Sequence, residues 1–283
     1  MKQRIHYLKN ITVLKGAGIP TAVSAKENAA APEGSSAARG GSCQGCPGTL
    51  YVASPDADFK VLTESGVPFV VYVDTLADNA GTFFDGAKYV LEGEGEFDPG
   101  DFDPEELEKI YRRLKKIPWD ILETDRCVIK ETSPDDLDEF YRIYADPDIT
   151  RFTEDLMERS EEEKYTENYR DLIYEIYDHG IWTVIKKDTG EIIGRAGLDE
   201  RAGFDTPELG FVIGKPWQKQ GYAYEVCGAI LSWAAENDIH EIMSLTEKEN
   251  SKAVNLLKKL GFSEGNPVSI GTSEYVRFNF AVK

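Results

Sequence analysis

The residues of this chain best placed to do chemistry lie between positions 208 and 223, in the run ELGFVIGKPWQKQGYA. An apolar stretch there passes through a short loop into Gln218-x-x-Gly221-x-Ala223, which opens an apolar helical pattern. Such a junction can hold an anion. The first turn of a helix carries backbone N–H groups without intrahelical partners, and the aligned peptide dipoles make that end positive. Gly221 removes the Cβ that would keep a phosphate from the backbone, and the small Ala223 serves the same end. Lys219 adds a positive charge. A six-residue pattern of this kind recurs by chance, so its weight depends on its surroundings.

Other reactive residues are scattered. Glu208 begins the strand-like run. Asn250 precedes the helical run SKAVNLLKK and suits a helix N-cap. Cys43-x-x-Cys46 has the spacing of a metal or redox pair. A structural zinc site takes four ligands, however, and no second pair or neighbouring histidine accompanies it. His6, His179 and His240 are far apart in sequence, which also counts against a Ser-His-Asp triad. No metal is expected. Trp182, Trp217 and Trp233 sit among apolar residues and read as core, with Trp217 near the cleft.

These residues need a frame. After residue 124 the pattern predicts strands at 127–130, 208–214, 241–246 and 274–282, and a hairpin from 181–186 and 191–199. Helices are expected at 134–144, 158–177, 221–237 and 251–259. Before it, short buried runs at 49–53, 67–73 and 88–91 alternate with helices, as in a parallel Rossmann-like sheet. A helix ending near Gly18 and a strand at 21–24 are expected upstream. Residues 28–48 lack any large apolar side chain and read as a surface loop. Residues 92–108 are acidic without a single basic residue, and pass from a linker into a helix capped by Asp103. The fold class is therefore α/β. Its expected domains are 1–95, a linker and helix over 96–124, and 125–283.

The 283 residues include 51 acidic and 32 basic ones, a formal net charge of −19. That argues against nucleic acid, whose phosphates require clustered Lys and Arg. An acidic field favours a cationic partner such as a protonated amine. No apolar run approaches the length of a membrane span, no signal peptide is expected, and the cytoplasm is the expected compartment.

The junction at 208–223 gains weight from residues 250–262, NSKAVNLLKKLGF. Together they resemble the acyl-CoA site of the GNAT superfamily, whose members carry a Q/R-x-x-G-x-G/A turn and, further on, an Asn, a helix and a Gly-Phe pair. The likeness covers 125–283 and is nearer to the branch that acetylates N-terminal amines of ribosomal proteins. It implies a mixed-sheet α/β fold and an N-acetyltransferase using acetyl-CoA as co-substrate. Carried over by position, the N–H groups of Gln220, Gly221, Tyr222 and Ala223 would hold the pyrophosphate, flanked by Gln218 and Lys219. The strand through Phe211, Val212 and Ile213 would pair with the pantetheine arm, and an N–H near Val212 would stabilise the oxyanion. Asn250 would bond the arm or a bridging water, or simply cap its helix. Glu208 would take the amine proton through a water or bind the ammonium.

One position departs from that pattern. Leu257 stands where many relatives carry a tyrosine that protonates the leaving thiolate, with Tyr222, Tyr224 and Ser251 as possible substitutes. An acyl-CoA-binding sensor without turnover is therefore the alternative to an enzyme. Residues 145–180 are expected to form the acceptor wall, where Glu154, Asp155, Glu158 and Glu161 suit a cation. Residues 8–24 and 49–91 resemble pieces of a haloacid-dehalogenase-type domain. Ser54 replaces its first motif acid, only Asp58 remains, and the nucleophilic D-x-D strand is missing. That implies no phosphatase activity, and a module for interaction, substrate binding or homodimer formation.

Overall fold

A computed structural model describes residues 10–14, 48–77 and 86–282. The chain divides into two compact units, Met1–Ile117 and Pro118–Lys283. The expected strand at 21–24, and the pair Cys43 and Cys46, lie outside the described residues.

The first unit holds β1 (Asn10–Leu14), β2 (Thr49–Ala53), β3 (Phe69–Asp74) and β4 (Val90–Gly93), all parallel and in that order. Every residue of β2 is buried, as befits a parallel strand covered on both faces. Tyr51, Phe69 and Val71 pack with Leu62 of helix α1 (Phe59–Glu64) on one face. Leu50, Val52 and Val70 pack with Leu107, Ile110 and Tyr111 of helix α2 (Pro104–Leu114) on the other.

Two expectations change here. The segment before Gly18 contains a strand where a helix was expected, because the β-branched run Ile11-Thr12-Val13 pairs in register with β2. The segment 96–124, expected as an acidic linker and a helix, also holds a strand. Its first helix, α2, completes the first core, while β5 (Asp120–Glu123) joins the second sheet.

The second unit is an eight-stranded sheet in the order β11-β12-β10-β9-β8-β7-β6-β5. Its strands are β6 (Cys127–Glu131), β7 (Ile181–Lys186), β8 (Ile192–Asp199), β9 (Glu208–Ile213), β10 (Glu241–Thr246), β11 (Ser263–Ile270) and β12 (Ser273–Ala281). All neighbours run antiparallel except β9 and β10, which are parallel. Helices α3 (Leu137–Tyr144) and α4 (Pro147–Thr150) form one cluster with Val212. Helix α5 (Arg159–Tyr169) continues through a π turn, Arg170–Tyr174, into α6 (Glu175–Tyr177). Helices α7 (Tyr222–Glu236) and α8 (Ser251–Leu260) pack on the main core, around Trp182, Ile230, Leu257 and Phe278. Among the described residues no helix is long and apolar enough to cross a membrane.

Strand β11 was not foreseen. Its sequence SEGNPVSI carries a glycine and a proline, and both are tolerated because it lies at the sheet edge with a bulge between Glu264 and Pro267.

A buried polar knot fixes α3 to the sheet. Asp136, 5% exposed, accepts hydrogen bonds from the Ser133 N–H (3.0 Å), the Thr183 hydroxyl (2.8 Å) and the Lys130 ammonium (2.6 Å). Asp136→Ala leaves Lys130 without its carboxylate in a largely buried place. The expected cost is about 3–5 kcal/mol, read as a lowered midpoint in urea unfolding.

Candidate active site

Strands β9 and β10 touch at a single rung, Met243 opposite Glu208, and then diverge. A cavity of about 1240 Å³ opens from this splay and extends to the start of α7 and under α5. The base of the splay is clamped. The Ser244 hydroxyl donates to the Leu209 carbonyl (2.9 Å), and the Leu245 N–H donates to Glu208 Oε1 (3.2 Å). Arg201 donates to the other oxygen, Oε2, of Glu208.

Backbone alternation sets which groups of β9 face the splay. The Gly214 N–H donates to Ile193 (2.8 Å) on the β8 side. In an antiparallel pair every second residue bonds the same neighbour, so the Val212 N–H also turns to β8. Those of Phe211 and Ile213 turn into the splay. The carbonyls agree: Leu209 accepts from β10, and Ile213 accepts from the Gln218 side chain (2.9 Å). Of the N–H groups near Val212, among which the oxyanion donor was expected, that of Val212 itself belongs to the sheet, which leaves its neighbours.

Above the splay lies the turn into α7. Lys219 and Gly221 are both left-handed, with φ of 61° and 86°. The first helical bond runs from the Glu225 N–H to the Gly221 carbonyl (3.0 Å), so the N–H groups of Tyr222, Ala223 and Tyr224 have no helical acceptor. Lys219, Gly221 and Ala223 line the cavity. A side chain the sequence did not point to secures this turn. Arg126, at the start of β6, donates to the Gln220 carbonyl (3.0 Å) and lies 4.1 Å from the centre of the Tyr222 ring. It also pairs with Glu225 (2.6 Å). Desolvation works to raise the Glu225 carboxyl, but hydrogen bonds from Thr124 and Arg126 outweigh it and hold the group below the ordinary carboxylate range. Nothing local in the sequence links residue 126 to residue 220; only the fold brings them together.

The other lobe of the cavity is walled by α3 and α5. Tyr144, Glu162, Tyr165, Tyr169, Arg195 and Asp199 face it. Tyr169 donates to Asp199 (2.6 Å). Burial, and then the Asp199 charge, push its phenol far above the usual range, so it stays protonated. Of the acids expected on this wall, Glu154 and Asp155 line the cavity, whereas Glu158 and Glu161 face solvent and do not. Glu162, one turn into α5, takes that place.

Residues 126–263 match the family model described as the acetyltransferase (GNAT) domain. They form a GNAT acetyltransferase domain. Two curated proteins of Bacillus subtilis are similar to it. The uncharacterised N-acetyltransferase YoaA is 25% identical over 149 residues, which is 51% of this chain and 83% of YoaA. The uncharacterised N-acetyltransferase YnaD is 33% identical over 79 residues, 28% of this chain and 46% of YnaD. Among solved structures, a candidate GNAT-family acetyltransferase from Bordetella pertussis superposes with a TM-score of 0.50 at 21% identity, over 56% of this chain and 98% of that one. RimL, a ribosomal L7/L12 alpha-N-protein acetyltransferase in complex with coenzyme A, gives 0.51 at 9% identity, over 58% and 98%. At these identities the two structures speak for the fold alone.

Within the GNAT domain, Glu208, Phe211, Val212, Ile213, Gln218, Lys219, Gly221, Tyr222, Ala223 and Asn250 all border the one cavity. Gln220 does not border it. Its side chain donates to the Pro216 carbonyl (2.7 Å), bracing the turn from behind. Asn250 caps α8, accepting from the Ala253 N–H (3.2 Å), and still lines the cavity. Leu257 is fully buried in the core and does not line the cavity. Tyr224 is 42% exposed, with the Lys259 ammonium over its ring. Burial raises the thiols of Cys127 to about 11 and Cys227 to about 12, so neither serves as a nucleophile. No group of metal ligands exists among the described residues.

Proposed function

We propose that this GNAT domain moves the acetyl group of acetyl-CoA to a primary amine by direct attack in a ternary complex. The observation that carries the reading is continuity: the open edge of β9 leads straight to the unpaired N–H groups at the start of α7. A linear arm with amide groups can pair with Phe211 and Ile213, and its diphosphate then falls on Gly221, Tyr222 and Ala223. Lys219 and Lys252 supply positive charge at the same mouth.

The neutral amine attacks the thioester carbonyl. A C–N bond forms, the C–S bond breaks, and the electron pair leaves on the coenzyme sulfur. The Phe211 N–H is the proposed donor to the transient oxyanion. Glu208 is the proposed acceptor of the amine proton, through a water, since Arg201 and Leu245 already occupy one lone pair on each of its oxygens. Thiols ionise at about 8.5, so the sulfur can leave without a strong acid in place of Leu257. Glu208→Gln is expected to lower kcat about 100-fold while acetyl-CoA affinity stays the same. An unchanged kcat would remove Glu208 from the mechanism.

Cationic amines suit the acids Glu154, Asp155 and Glu162, and ribosomal or other peptide N-termini belong to the same chemical class. The buried Leu257 favours a second reading, a sensor that binds acyl-CoA without turnover. Calorimetry with acetyl-CoA, followed by thiol release against amines, separates the two: binding with release means an enzyme, binding alone a sensor. For the first unit we propose a non-catalytic haloacid-dehalogenase-like fragment. Its remaining motif acid, Asp58, is spent as the cap of α1, accepting from the Val61 N–H (3.1 Å).

A further inference from the structure

The cations around the cavity are mostly engaged. Arg201 pairs with Glu208 and Lys215 with Asp148, while Lys252 donates to Gln218. Arg195 differs. It rises from the middle of β8 into the acceptor lobe, half-buried, and no carboxylate among the described residues comes within ion-pair distance of it. Its Nε donates to the Tyr144 hydroxyl (2.7 Å), and its guanidinium stands 4.8 Å and 5.7 Å from the ring centres of Tyr144 and Phe140. The nearby Glu162 makes no ion pair with it and accepts from the Met157 N–H (3.1 Å). A guanidinium fixed by Nε and flanked by rings still offers its two terminal nitrogens, the fork that fits a carboxylate.

Position adds to chemistry. Arg195 is directly across from Val212, and Asp199 directly across from Glu208. The four side chains share one face of the β8–β9 pair, because alternate residues do. Between the two pairs Gly210 lines the floor without a side chain. A positive end and a negative end thus flank a bare stretch of strand, one residue away from the Phe211 N–H.

Resting on the acetyl-transfer reading, we propose that the acceptor is a small zwitterion, an amine that also carries a carboxylate, and that Arg195 binds that carboxylate. The acids at the Asp199 end favour the approach of the cation. Arg195 stands across from Val212, the neighbour of Phe211, so a carboxylate held there lies near the attacking nitrogen, whereas Asp199 is four residues further along β8, about 13 Å away. This points to amino acids rather than to polyamines, which carry no anion.

The test measures thiol release with acetyl-CoA on the whole chain, against the twenty amino acids, each beside its own carboxamide, with phosphoethanolamine and spermidine added. The free carboxylate of at least one pair is expected to be used about 10- to 100-fold better, in kcat/KM, than its amide. Arg195→Gln should erase that preference through KM, bringing the acid down to the level of its amide, and Arg195→Lys should keep part of it. Calorimetry with acetyl-CoA on each variant shows that the fold and the other lobe are intact. Turnover with no carboxylate preference, or better use of spermidine or phosphoethanolamine, overturns the assignment and leaves the transferase standing. For a protein that binds acetyl-CoA without turnover, the same pairs are titrated in calorimetry as N-acetyl products, and equal binding of acid and amide overturns it. No acetyl-CoA binding at all means that the transferase reading itself has failed.

Discussion

Phe211→Pro is expected to lower kcat by about 100- to 1000-fold while the protein still folds and still binds acetyl-CoA within about tenfold of the original affinity. The expectation comes from the alternation along β9. The Phe211 N–H faces the splay and contributes no bond to the β8 ladder, so proline removes a donor that the sheet does not use. The preceding residue is Gly210, which tolerates the restriction that proline imposes on its neighbour. Phe211→Ala keeps the N–H and loses only the ring, so the ratio of the two variants isolates the backbone group. Val212→Pro is the contrasting case. It removes a ladder bond from the interior of an eight-stranded sheet and should unfold at markedly lower temperature. Equal kcat for Phe211→Pro and Phe211→Ala would take the oxyanion role away from this strand position.

Gly221→Glu should weaken acetyl-CoA binding at least about 100-fold, measured by calorimetry. Two effects act together. At φ of 86° a side chain is strained, at about 1–2 kcal/mol, and a Cβ there would sit 3.4 Å from Arg126 Nη2. The new carboxylate would also stand on the positive end of α7, in the place proposed for a diphosphate. Gly221→Ala carries the strain without the charge and should lose less than tenfold. Similar losses in both variants would mean that shape rather than charge governs the turn.

Much of the domain was legible in the sequence because its strands and helices carry strong periodic patterns. β7, β8 and α7 fall within a residue or so of where alternation and apolar spacing put them. The cofactor turn was legible too, since only glycine adopts the Gly221 conformation at no cost. What could not be read were contacts made by distance in the chain. Arg126 supports a turn some ninety residues downstream, and Arg195 sits in an ordinary-looking strand run, IIGRAGLD. The strand at Asn10–Leu14 was missed because five residues with a polar start carry no alternation, and their pairing with β2 decides them. Edge strand β11 was missed because proline and glycine mask β propensity wherever a bulge absorbs them.

The single rung between β9 and β10 has one more consequence. An unpaired strand edge inside a protein is a template to which any extended chain can add, and soluble proteins guard such edges against aggregation. Here the guard is geometric. The splay is pinned shut at Glu208, Ser244 and Leu245 and opens from there. A polypeptide strand, with side chains on alternate faces, is too thick for the closed end of this wedge. A slender unbranched amide chain is not. The notch therefore sorts its occupants by girth before any charge is read, and the sheet stays incomplete until a guest of the right calibre fills it.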